Sequence, residues 1–130
     1  MRSTVLSFLQ TQNLGTFIVT TELPWDENGT ELYLKNLKKI YVDVTQYSVE
    51  PIITTLNGVN ITTDIHSVKV YFANDAKSLP PNYDEVVEVI RSAKNIDTTT
   101  GYHSREVDVS TKYELDKLVT EIELRYIKLT

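Results

Sequence analysis

Residues 102–130, YHSREVDVSTKYELDKLVTEIELRYIKLT, decide the fold. Val107, Val109, Thr111 and Tyr113 alternate with Glu106, Asp108, Ser110 and Lys112, the period of two expected of a strand with one face turned inward. After Glu114-Leu115-Asp116 the alternation resumes, with Leu118, Thr120, Ile122, Leu124 and Tyr126 on one face and Glu121, Glu123 and Arg125 on the other. This pattern predicts a half-buried antiparallel hairpin with a tight acidic turn.

The same reading extends toward the N-terminus. Tyr83, Val86, Val87, Ile90 and Ala93 form one helical stripe between Asn82 and Lys94, introduced by Pro80-Pro81. Asn82 is placed to cap this helix, with Glu85 three residues on as in a capping box. Its β-branched residues give it little intrinsic stability, so its apolar stripe must pack on the sheet. Strands are expected at Ile65–Ala73, with Val68, Val70 and Phe72 opposite Lys69 and Tyr71, and at Leu37–Tyr47, where Ile40, Val42 and Val44 point inward and Tyr41, Asp43 and Thr45 outward. Glu50-Pro51 is expected to end the latter. Asn57-Gly58 marks a tight turn between Ile52–Leu56 and Val59–Thr63. Thr16–Leu23 reads as a further strand, and Pro24 to Gly29 as a break. Ser3–Leu14 reads as a helix with Val5, Leu6, Phe8 and Leu9 at helical spacing, closed by Gly15. The sum is a single α+β domain over residues 1–130: a mixed, mostly antiparallel sheet with two helices packed on one face and a C-terminal β-hairpin.

Composition narrows the function. The chain has 130 residues, 24% of them charged, with a net charge of −5 and no cysteine. One core of ordinary size is expected, with no disulfide, thiolate nucleophile or cysteine-based metal site. The acidic balance disfavours a protein that grips nucleic-acid phosphates, and no apolar run reaches the length of a membrane span. Lys35, Lys38 and Lys39 read as a solvated edge. The opening residues lack the features of a signal peptide.

Motifs that would carry chemistry are not recognised. His66 and His103 could pair with Asp64 or Asp108, but no third ligand lies at a metal-site spacing. Asp26 to Glu31 superficially resembles a calcium loop without its ligand spacing, and reads as an acidic surface loop. No phosphate-binding glycine loop or nucleophile elbow is recognised. The reading is therefore no enzyme, no catalytic residue, no cofactor and no metal. The outward-facing aromatic residues point to contact surfaces, because Tyr and Trp join a large apolar area to a hydrogen-bonding tip. Trp25, Tyr41, Tyr71, Glu121 and Glu123 are the candidate subunit or partner interface.

In the order of its elements the chain resembles the tail terminator proteins of long-tailed bacteriophages. The similar features are the short N-terminal helix, the middle strands Ile40-Tyr41-Val42-Asp43-Val44 and Val68-Lys69-Val70-Tyr71-Phe72, and the helix from Asn82 to Lys94. The Gly101-Tyr102 step follows, before Arg105-Glu106-Val107-Asp108-Val109 and the closing strand from Leu118 to Leu129. The resemblance spans nearly the whole chain and rests on pattern and length. It implies a virion protein, assembled in the host cytoplasm, that forms a hexameric ring at the head-proximal end of the tail. Such a ring stops polymerisation of the tail tube protein and docks a head-completion or neck protein. DNA passes through its lumen without specific binding, and no membrane is involved. Competing expectations are another head-tail joining subunit, a tail-tube subunit, or a small cytosolic ligand-binding domain.

Overall fold

A computed structural model of the chain describes residues 1–54, 56–58, 60–96 and 103–129, apart from the side chains of 52–54, 60, 61, 103–106 and 129. Its elements run α1 (Arg2–Gln10), β1 (Ile18–Val19), α2 (Leu32–Lys35), β2 (Lys39–Val42), β3 (Gln46–Thr54), β4 (Asn60–Asp75), α3 (Tyr83–Arg91), β5 (His103–Glu114) and β6 (Lys117–Leu129). A 3₁₀ turn, Ser92–Asn95, extends α3. The fold is α+β, with a mostly antiparallel sheet, helices packed against it and the expected C-terminal hairpin. The Gly101-Tyr102 step and the Thr98-Thr99-Thr100 tract lie outside the described residues.

Two long strands at the centre of the sheet set its frame. β4 pairs with β6 from Thr63↔Leu129 to Asp75↔Lys117, and β6 pairs with β5 across the closing hairpin. β2 and β3 lie in series along the other edge of β4, β2 pairing at Tyr41↔Tyr71 and β3 starting at Gln46↔Ser67. Between them the pairing slips by one residue at 43–45, and Arg2 secures the break. Its backbone N–H donates to Thr45 Oγ1 at 2.8 Å, its Nε to the Val42 carbonyl at 2.9 Å and its Nη2 to the Thr21 carbonyl at 2.8 Å. β1 adds a short parallel pair to β2.

The alternation read in the sequence is realised on the helix face. Val42, Val68, Val70, Phe72, Ile122, Leu124 and Tyr126 form the buried sheet layer, covered by Val5 and Leu9 of α1 and by Val86 and Ile90 of α3. Two tyrosine hydroxyls tie the layers: Tyr126 donates to the Ala93 carbonyl at 2.7 Å, and Tyr83 pairs with Thr120 Oγ1 at 2.7 Å.

Several local expectations are corrected. α1 ends at Gln10 and not near Leu14, because Thr11 turns back and satisfies the Phe8 carbonyl with both its hydroxyl and its N–H. Gly15 belongs to the next turn, at φ +66°, where a Cβ would sit 2.2 Å from Asn82 Nδ2. That approach holds the Asn82 side chain against Gly15, and Asn82 occupies the N-cap position of α3 without a side-chain cap bond. The Thr16–Leu23 strand shortens to Ile18–Val19, since beyond it the chain leaves the sheet. Pro51 does not end its strand. β3 runs through it to Thr54 with a register shift between Pro51 and Ile53, which an edge strand tolerates because the missing N–H need not serve a second neighbour.

Candidate functional site

The face of the sheet opposite α1 and α3 carries the residues singled out as a contact surface. β4 presents Lys69, Tyr71 and Ala73 there, β6 presents Val119, Glu121 and Glu123, and β2 presents Tyr41, all fixed by the register Tyr41↔Tyr71↔Glu121. A two-layer domain would leave this face wet. Instead residues 24–37 cross it and bury Tyr33, Tyr41, Tyr71, Ala73 and Val119 in a second core, with Trp25, Leu32, Leu34 and Leu37 packed around them.

The covering segment is held by its own hydrogen bonds. Leu32 N–H donates to the Pro24 carbonyl at 2.8 Å, and Trp25 bridges Glu31 across a small loop. Within that loop Asp26 Oδ1 accepts from the N–H groups of Asn28 at 2.9 Å and Thr30 at 2.8 Å. These backbone bonds, that of Thr30 foremost, hold its carboxyl below the usual range. The segment that superficially resembles a calcium loop thus uses its first carboxylate to shape the loop itself. Gly29 closes the turn at φ +76°. Trp25 then stands edge-on to Tyr71 at 5.1 Å and to Tyr33 at 6.1 Å, and Tyr33 stacks on Tyr71 at 5.3 Å.

The five candidate residues are therefore brought to one face, but in different roles. Tyr41 is wholly buried and Tyr71 is 8% exposed, so neither ring is an outward contact. Asn36 Nδ2 donates to the Tyr41 hydroxyl at 3.1 Å from the covering segment. Trp25 is half-buried at the margin. Glu121 and Glu123 lie beyond it, bound into a polar network. Glu121 Oε1 accepts from the Tyr71 hydroxyl at 2.8 Å and from Lys69 Nζ at 3.2 Å, and Oε2 accepts from Ser110 at 3.2 Å. Glu123 holds Lys69 at 3.8 Å and Arg125 at 4.0 Å. Burial pushes the Glu121 carboxyl up, but the bonds from Tyr71, Lys69 and Ser110 outweigh it and leave it below its ordinary value. The Tyr71 phenol moves far upward, through burial first and its bond to Glu121 second. Burial, then the bond to Glu31, moves Tyr33 the same way.

This arrangement suits rigidity. A carboxylate that already accepts three hydrogen bonds and is acidified by them is a poor general base, and phenols kept protonated do not serve as bases either. A cleft of about 180 Å³ opens between Trp25, Tyr71, Lys112 and Glu121, smaller than the few hundred Å³ typical of small-molecule sites. His66 stacks edge-on against Tyr47 at 4.8 Å on the helix-face side of β4, and burial, then the Met1 amino group, lowers its pKa. The His103 side chain lies outside the described residues. Among the described residues no three of His, Asp and Glu gather as metal ligands.

Lys69 and Ser110 were missed by sequence reasoning. Lys69 shares the alternation of Tyr71, but only the β4–β6 pairing sets it beside Glu121 and Glu123. No protein-family model and no curated protein matches this chain.

Proposed function

We propose that the chain is a structural virion protein, a tail terminator whose copies close into a six-membered ring at the head-proximal end of a phage tail tube. There the ring stops tube polymerisation and offers a docking surface to the head or neck. The observation that supports this reading is the contrast between the sealed middle of the sheet and its open outer strands. The middle of each face is covered by the chain's own segments, while apolar side chains stand exposed along the outer strands, on β3 (Tyr47 and Val49) and on β5 and its turn (Val109, Tyr113 and Leu115). A rigid subunit with unlike surfaces at its two sides is what a cyclic ring needs, because a ring repeats one interface between two different patches. A net charge of −5 also suits a channel that DNA must slide through without adhering.

Native mass together with negative-stain imaging over a wide concentration range tests the reading. A six-fold ring with an open centre is expected. A chain that stays monomeric at every concentration, with isolated tube ends added, would defeat it. Phage lacking the protein should make overlong tails; normal tails left unattached would instead assign it to the neck.

A further inference from the structure

The ring reading leaves open which surfaces meet, and the two hairpins supply a pair. The β3–β4 hairpin extends past the rest of the sheet: β4 begins at Asn60, whereas its pairing with β6 begins only at Thr63↔Leu129. Its tip carries Leu56, fully exposed beside Asn57 and Gly58. From Pro51 to Thr63 the sequence holds no Asp, Glu, Lys or Arg, in a chain that is 24% charged. The second surface is the free edge of β5. This strand of 12 residues pairs with β6 on one side and, among the described residues, with nothing on the other. It has no proline and no register shift from Glu106 to Glu114. Its helix-side row, Val109, Thr111 and Tyr113, is exposed and uncharged, and Leu115 continues it into the turn. Natural sheets usually blunt such an edge, as Pro51 and its register shift do on β3.

We infer that the occupant of the β5 edge is the β3–β4 hairpin tip of a second copy of this chain, joined head to tail. This rests on the ring reading and specifies its interface. Copies of a net-negative chain repel one another least where the meeting side chains are uncharged; the tip carries none of Asp, Glu, Lys or Arg, and on β5 the helix-side row is uncharged while Asp108, Lys112 and Glu114 stand on the strand's other face. Strand addition at the β5 edge would satisfy its backbone groups, and the row from Val109 to Tyr113 would receive the apolar tip. The tip lies beyond the start of β4, whereas the row from Val109 to Tyr113 lies level with Val70 to Asn74, roughly 33–46 Å farther along the strand. No subunit can therefore satisfy itself, and each contact leaves one tip and one edge free for the next copy until the ring closes.

Two exposed-site variants test the inference, Leu56→Asp at the tip and Val109→Lys with Tyr113→Lys on the edge. Circular dichroism and melting temperature first establish that both fold. Each alone should raise the concentration for half-assembly at least tenfold by native mass. Mixed in equal amounts, they should again form rings of alternating subunits, because the Asp tip of one meets the Lys edge of the other while the remaining contacts are unaltered. Rings from either variant at the wild-type concentration, or a mixture that stays monomeric, overturn the inference and leave the ring reading standing. A wild-type chain that forms no ring even with isolated tube ends added overturns both.

Discussion

On one side of the sheet, α1 and α3 press Val5, Leu9, Val86 and Ile90 onto the even-numbered residues of β4 and β6. On the other, a largely irregular segment, residues 24–37, lays Trp25, Leu32 and Tyr33 over Tyr41 and Tyr71. The first closure uses repeating side-chain spacing on regular elements. The second uses one aromatic cluster and a few backbone bonds. The difference teaches that a sheet face with polar alternation at one end can still be sealed at the other by a loop, and that the seal then depends on very few residues.

Truncating the helix face should break the comparison most. Ile90 is fully buried in the main core, and Ile90→Ala is expected to cost about 3 kcal/mol, lost transfer energy plus a cavity that packed helices cannot close. A urea titration should show a lower midpoint with an unchanged slope. An unaltered midpoint would mean that α3 contributes little to the cooperative unit.

The loop-closed face should answer differently. Trp25→Ala removes the edge-on contacts to Tyr33 and Tyr71, and because Trp25 is only half-buried the expected loss is smaller, about 2 kcal/mol. More telling is its location. Proteolysis and amide exchange should accelerate within residues 20–37 while β4 and β6 stay protected, as expected of a local opening. Uniform loss of protection would show that the two cores are one unit.

A third test concerns turns. Leu115 and Asp116 stand at φ +51° and +61°, the two-residue hairpin turn whose preferred sequence is Asn-Gly. Replacing them with Asn and Gly should stabilise the domain by about 1 kcal/mol, read as a rise in melting temperature of a few degrees. No rise would mean that the Leu115 side chain makes a compensating contact.

The same positions show what the sequence could and could not disclose. The helix-face core was legible because a period of two in Val68, Val70 and Phe72, and a period near 3.6 in Val86 and Ile90, record burial on one side directly. Gly29 and Gly58 both take φ +76°, as Asn-Gly pairs favour, but β3 and β4 pair only as far as Thr54↔Asn60, so the tight turn expected at Asn57-Gly58 is a longer connection. The tight acidic turn expected at Glu114-Leu115-Asp116 is found there, on Leu115 and Asp116, because the long β5–β6 pairing fixes the register and the turn residues must follow. The cover over Tyr41 and Tyr71, by contrast, was illegible. Residues 24–37 carry no period, and their path is set by which aromatic surface they meet. The candidate face could be gathered from alternation alone, but Tyr41 could not be assigned to its interior without knowing that a loop lies above it.

The smallest expected effect separates the polar margin of the loop-closed face from its aromatic centre. Glu121 is held below its ordinary value by Tyr71, Lys69 and Ser110, acting against its burial. A carboxyl whose folded-state pKa is depressed adds stability above the unfolded value, about 4.3 for a glutamate, and loses it as the pH falls through the folded value. Glu121→Gln cannot titrate, so the stability gap between wild type and variant should be constant from pH 7 to about 5 and shrink steadily below that. Partial solvent exposure screens the network, and the gap should not exceed about 1 kcal/mol. Melting temperatures of the two proteins from pH 7 to 3 provide the comparison. A gap that stays level to pH 3 would mean that the hydrogen bond from Tyr71 is retained whether or not Glu121 is charged, and that the aromatic cluster alone holds this face.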